Sequence, residues 1–242
     1  MNKNLPIVRI SSVAVMACIL AVTALSANAA LVPFTEQFVA GPSDWRQADG
    51  IANLNWLPAG GPDGSSYASG PFSFAAFGPG AQPAILRAHD EYGASGSSGG
   101  AFIGNWIADG VTGFSAWVRH SAPMPLTFYA RYASPTNSPG AASVQFAPVL
   151  PNAWTQLNFD LAFGSPNLFL EGPPSQALYD AVFSNIGHVQ IGAQVPGELA
   201  GVPLSFTFDV DGVSLIPEPG TVSLLLVGCA ATLLRRRNRT AR

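Results

Sequence analysis

The feature that most constrains this chain is a two-residue hydrophobic rhythm, restarted repeatedly between glycines and prolines. In residues 113–120, Phe114, Ala116 and Val118 fall on one side and Ser115, Trp117 and Arg119 on the other. Residues 126–132 set Leu126, Phe128 and Ala130 against Thr127, Tyr129 and Arg131. In residues 154–161, Thr155, Leu157, Phe159 and Leu161 oppose Gln156, Asn158 and Asp160. Residues 188–193 contribute Val189 and Ile191, and residues 204–211 contribute Leu204, Phe206, Phe208 and Val210. Successive side chains of a strand point to opposite faces, so this period means half-buried antiparallel strands. Residues 32–38, 67–74, 85–89 and 101–106 read as further strands. Only residues 175–184 have helical spacing, with Leu178, Val182 and Tyr179 inward. Many short strands, one short helix and no βαβ alternation predict an all-β fold, a two-sheet antiparallel β-sandwich of the jelly-roll kind.

The two ends of the chain follow different rules. Lys3 and Arg9 precede an uncharged apolar stretch over residues 10–26, which closes on Ala27-Asn28-Ala29. Small residues at Ala27 and Ala29 suit the narrow pocket of signal peptidase, so residues 1–29 read as a signal peptide cut after Ala29. The chain is thus expected to be exported, and residues 30–216 to form one domain long enough to bury a core. That domain holds four arginines (Arg46, Arg87, Arg119 and Arg131) against thirteen acids, a net charge of −9. It has no lysine, since Lys3 is the only one in the chain. Such a surface repels phosphate backbones, which excludes nucleic acid as a partner. Both cysteines, Cys18 and Cys229, lie outside the domain. The domain therefore has no thiol chemistry, no internal disulfide and no cysteine-ligated metal.

Asp209-Val-Asp211-Gly212 places two carboxylates on one face of the last strand. Glu36 lies in the first strand, which a jelly roll commonly sets close to the last. Glu36, Asp209 and Asp211, with backbone carbonyls, would supply the hard oxygens that a structural calcium ion takes. The alternative is solvated strand-end acids with Gly212 as a bend. Asp63, in Gly60-Gly-Pro-Asp-Gly-Ser-Ser66, reads as a turn residue. Trp117 and Trp154 alternate onto the polar faces of their strands, where flat rings could stack on the apolar faces of sugars; packing between strands is their other reading. His89-Asp90-Glu91 reads as a surface loop after a strand. No Gly-x-Ser-x-Gly or His-Glu-x-x-His occurs, and the domain has no cysteine nucleophile. A glycosidase, the hydrolase alternative, needs two carboxylates at a defined separation, and spacing singles out none. The domain reads as non-catalytic.

Beyond residue 216 the chain changes character. Pro217-Glu218-Pro219 leads into fifteen uncharged residues, 220–234, and then Arg235, Arg236, Arg237 and Arg239. As a helix that run would be about 22 Å long, against a hydrocarbon core of about 30 Å, short for a permanent span. The arginines would stay cytoplasmic while the domain lies outside. These three features, in this order at this end, look like the PEP-CTERM sorting signal of Gram-negative bacteria. The resemblance covers residues 217–242, with a transmembrane-like helix over 221–234. It implies an exosortase, a membrane protease that cuts near Pro217-Glu218-Pro219. It also implies export across the inner membrane, transient anchoring, and release to the cell surface or extracellular matrix, often in a biofilm context.

The domain resembles jelly-roll modules of the carbohydrate-binding and laminin-B kinds in Phe34-Thr-Glu-Gln-Phe38, Gly60-Gly-Pro-Asp-Gly64, Gly100-Ala-Phe-Ile-Gly-Asn-Trp106 and Phe208-Asp-Val-Asp-Gly-Val-Ser-Leu215. That resemblance implies a calcium ion between first and last strands, on Glu36 and Asp211, and an extracellular polysaccharide as partner. The other expectation for such a protein is a structural, self-associating component of the matrix or surface.

Overall fold

A computed structural model describes residue 30, residues 32–88 and residues 96–218. The leader with Ala27 and Ala29, the His89-Asp90-Glu91 loop, Pro219, the 221–234 run and Arg235, Arg236 and Arg237 lie outside the described residues. Among those described, no helix is long and apolar enough to cross a membrane.

Among the described residues, eleven strands and one α-helix follow in the order β1 (Phe34–Glu36), β2 (Asn55–Leu57), β3 (Tyr67–Ser73), β4 (Ala84–Ala88), β5 (Val111–His120), β6 (Phe128–Ala133), β7 (Gly140–Val144), β8 (Thr155–Asp160), β9 (Leu168–Leu170), α1 (Gln176–Phe183), β10 (His188–Ala193) and β11 (Ser205–Pro217). They form two antiparallel sheets. One has six strands in the order β2-β3-β11-β5-β8, with β1 also paired to β11; the other runs β4-β10-β6-β7-β9. The fold is the expected two-sheet β-sandwich.

The inner faces meet in one aromatic core. Phe114, Phe159 and Phe208 from the six-stranded sheet pack with Phe128, Tyr132, Val189 and Ile191 from the other, all at most 2% exposed. Phe208 anchors a cluster of edge-to-face contacts, with ring centroids 6.0 Å from Phe74 and 6.1 Å from Phe72, the arrangement that aromatic quadrupoles favour. Helix α1 starts at Ser175, whose hydroxyl accepts from the Leu178 amide at 3.2 Å as an N-cap. It buries Val182 and Phe183, and the Tyr179 hydroxyl donates to the Leu161 carbonyl at 2.9 Å.

Several expectations need correction. Residues 101–106 are turns rather than a strand. Gly100 and Gly104 adopt φ of 81° and 125°, and Phe102 and Trp106, four residues apart, are both buried, with the indole N–H of Trp106 donating to the Phe102 carbonyl. Leu204 precedes β11 and is 56% exposed. Strands β2, β7 and β9 are not expected from the rhythm, because Asn55–Leu57, Gly140–Val144 and Leu168–Leu170 lack alternation. The last strand also runs further than expected, to Pro217.

Candidate functional site

The outer face of the six-stranded sheet carries Trp117, Asp209 and Asp211, and the register arranges them in rows. Asp211 lies opposite Trp117 on β5, and Trp117 lies opposite Gln156 on β8. The next row sets Ser69, Asp209 and Arg119 side by side. The row on the other side sets Thr35, Ser214, Ser115 and Asn158 across four strands.

A β-bulge between Asp211 and Ser214 shapes this surface. One extra residue in β11 moves the inward phase from Phe208 and Val210 to Val213 and Leu215, all four buried. Gly212 takes φ of 54° in the bulge, and a Cβ there would stand 3.0 Å from Trp117 Cδ1. The bare backbone therefore lets the indole lie against it. Bulges recur beside functional sites because they re-aim side chains.

Trp117 is partly exposed and lines a groove of about 330 Å³ with Thr35, Gln37, Asp63, Gln156 and Asp211. The Gly60–Ser65 turn forms one wall. The Asp63 carboxylate accepts from the Ser65 amide at 3.0 Å, as a turn aspartate should, and the Ser65 hydroxyl donates to Asp211 at 2.8 Å. A Cβ on Gly61 would meet Asp211 Oδ2 at 2.9 Å, so only glycine admits this carboxylate.

The three acids proposed for calcium are not brought together as one set. Asp209 is 5% exposed and accepts from Arg119 Nε at 2.7 Å. Asp211 turns toward the Ser65 loop. Glu36 pairs at backbone level with Val213 on β11, and its carboxylate accepts from the Phe38 amide at 2.7 Å. First and last strands are thus neighbours, as expected, and Asp211 feels both Glu36 and Asp63. Burial pushes the Asp211 carboxyl above the ordinary aspartate value; hydrogen bonds from Ser65 and the Gly212 amide pull the other way, and Asp63 and Glu36 add repulsion. Among the described residues, no three acids or histidines converge as a ready-made metal site.

Trp154 is held differently from Trp117. Its indole N–H donates to the Gly60 carbonyl at 2.9 Å, and its ring meets Tyr67 edge-to-face at 5.4 Å. The Arg119 guanidinium sits 4.7 Å from the Trp154 centroid and 5.1 Å from that of Tyr67. One face of Trp154 is therefore taken by a cation–π contact, whereas Trp117 fronts the groove. Sequence reasoning missed the polar rim of Thr35, Gln37, Ser65 and Gln156. Outward alternation of Gln156 beside Trp117 was the available signal.

No protein-family model matches the chain, and neither does any curated protein. Among solved structures, an exo-β-agarase is similar at a TM-score of 0.50 and 11% identity, over 76% of this chain and 24% of that one. A family 11 carbohydrate-binding module of cellulase Lic26A-Cel5E from Clostridium thermocellum is similar at 0.46 and 10%, over 78% of this chain and 96% of the module. The CBM22-1–GH10 modules of a Clostridium thermocellum xylanase, complexed with xylohexaose, are similar at 0.44 and 14%, over 76% of this chain and 28% of that one. The chain thus spans about a quarter of the agarase and xylanase chains. At such identities the likeness is one of fold, the two-sheet sandwich.

Proposed function

We propose that this protein is exported and carries a non-catalytic domain that binds an extracellular polysaccharide in the Trp117 groove. The observation that carries this reading is the groove itself. A partly exposed indole is ringed by Thr35, Gln37, Asp63, Ser65, Gln156 and Ser214. A flat apolar ring among hydroxyl, amide and carboxylate partners matches a sugar, which has apolar C–H faces and a polar edge. In this reading residues 1–29 are removed by signal peptidase. Residues 217–242 then act as a PEP-CTERM signal, holding the protein at the inner membrane until an exosortase releases it to the surface or matrix. A calcium ion held by Glu36 and Asp211 would offset the repulsion around Asp211; carboxylate oxygens are the ligand type it takes, and both side chains would have to turn from the Phe38 amide and Ser65 to share it.

The test is retention of the exported chain on a panel of insoluble and immobilised polysaccharides, with Trp117→Ala alongside. Retention that Trp117→Ala removes supports the reading, and equal retention of both proteins sinks it.

A second reading rests on the edge of the five-stranded sheet. Phe169 of β9 is 50% exposed and meets Phe146, 61% exposed, edge-to-face. Phe163, Leu168, Leu170 and Pro174 line an apolar cleft beside them. An uncovered apolar edge strand is a template for pairing, which favours a self-associating matrix component. Sedimentation of the parent and Phe169→Ser chains decides it: concentration-dependent oligomers that the substitution abolishes favour self-association.

A further inference from the structure

Both ends of the folded domain meet at one loop, residues 105–110. The backbone nitrogen of Ala30 lies 2.8 Å from Asp109 Oδ2 and donates to it. At the other end, the Glu218 amide donates to the Gly110 carbonyl at 2.8 Å, one residue after Pro217 pairs with Val111. The loop is itself braced. Asn105 Oδ1 accepts from the Ala108 amide at 2.9 Å, and the Val111 amide donates to the Trp106 carbonyl at 2.9 Å. Ala30 is only 7% exposed and packs against the core, so its nitrogen is held at the carboxylate.

Two independent observations coincide at this atom. Ala27-Asn28-Ala29 marks the bond after Ala29 for cleavage, and Ala30 is the residue whose nitrogen faces Asp109. We propose that removal of the leader completes an ion pair between the new α-ammonium of Ala30 and the Asp109 carboxylate. The proposal rests on the signal-peptide reading above. Water adds across the Ala29–Ala30 peptide bond, so that Ala29 leaves with a carboxylate. The Ala30 nitrogen gains a hydrogen from that water and takes one more proton to become an ammonium. The acceptor is already ionised, and turning the neutral amide donor into an ammonium adds a direct charge–charge attraction to that hydrogen bond. The uncut precursor lacks this charge. Processing therefore makes the exported domain more stable than the precursor, and one loop then clasps both of its ends.

The sequence supplies an unusually clean probe. Lys3 is the only lysine and departs with the leader, so the α-amine of Ala30 is the sole primary amine of the processed chain. The full chain, expressed with its leader in a Gram-negative host and purified after processing, is first weighed intact. It is then treated with an acetylating ester, and its melting temperature is compared before and after. Asp109→Asn, which keeps a hydrogen-bond acceptor and loses the charge, is treated in the same way. Acetylation is expected to lower the melting temperature of the parent by about 3 °C and that of Asp109→Asn by under about 1 °C. Equal shifts in the two proteins, or no shift in the parent, overturn the ion pair; should Asp109→Asn fail to fold, the parent's own response still decides. A mature terminus other than Ala30 overturns the ion pair and the cleavage reading together, whereas Ala30 found without the coupling overturns the pair alone.

Discussion

Asp211 sits where the last strand, the Gly60–Ser65 turn and the first strand converge. Its raised pKa has a definite consequence for stability. Because the folded state holds the proton more tightly than the unfolded one, this group's contribution is full below its ordinary value near 3.8. It is lost as pH rises through the raised folded value. At neutral pH and without divalent cations, Asp211→Asn should therefore raise the melting temperature and flatten the profile above about pH 4. Added calcium should stabilise the parent and leave Asp211→Asn and Glu36→Gln unmoved; identical melts with calcium and with chelator in the parent refute the ion. His120 works on the acid side. Burial holds its pKa below 6.5, against a hydrogen bond to the Val149 carbonyl. The unfolded chain then takes up the proton first, and stability falls as pH drops below about 6.5.

Arg119 lies one row along β5 from the Trp117–Asp211 pair and belongs to a separate cluster, between Tyr67, Trp154 and Asp209. Arg119→Met strands a buried carboxylate and should cost about 2–3 kcal/mol in chemical denaturation. Adding Asp209→Asn should restore part of that loss, and a double mutant no more stable than the single would contradict the pairing. The two-residue period by itself sets Trp117, Arg119, Asp209 and Asp211 on the outward side of their strands. It does not show that Asp209 and Asp211 part company, because Arg119 reaches Asp209 through a cross-strand register that alternation does not specify.

At the scale of elements, β11 decides the architecture. It pairs with β3 along its first half, with β1 near its end, and with β5 along both. The bulge at Gly212 lets one strand serve both halves, since Val213 and Leu215 turn inward only after the one-residue slip. Gly212→Val forces a β-branched residue into a left-handed conformation against Trp117. It should cost about 1–2 kcal/mol and weaken polysaccharide retention with it; unchanged retention would mean that the bulge does not position the indole. Strands β5, β6, β8, β10 and β11 are legible because apolar residues recur at every second position over most of their length, although β10 is buried on both faces and β11 slips phase at its bulge. Strands β2, β7 and β9 are not. They are short or built of glycine, alanine and serine, and their pairing comes from neighbours rather than from their own pattern. The turns at 101–106 mislead for the opposite reason, because apolar residues there plug the core from a loop.

For the whole molecule, the six-stranded sheet presents its outer face as a surface of aromatic, hydroxyl, amide and carboxylate groups, on a lysine-free domain of net charge −9. The fold class is readable from rhythm alone. The groove is not, because its walls come from β1, the turn before β3, β5, β8 and β11, which only the sheet order brings together. Binding of an uncharged or cation-bridged polysaccharide suits this surface better than binding of a polyanion, which the acids would repel.

The most direct measurement is equilibrium binding of the exported, processed chain to the polysaccharide that retains it best, for the parent and Trp117→Ala. The Trp117 groove predicts a loss of affinity of about 10- to 30-fold on truncating the indole, about 1.4–2 kcal/mol, with the melting temperature nearly unchanged. Undiminished affinity in Trp117→Ala, or no retention of the parent by any polysaccharide, would contradict it.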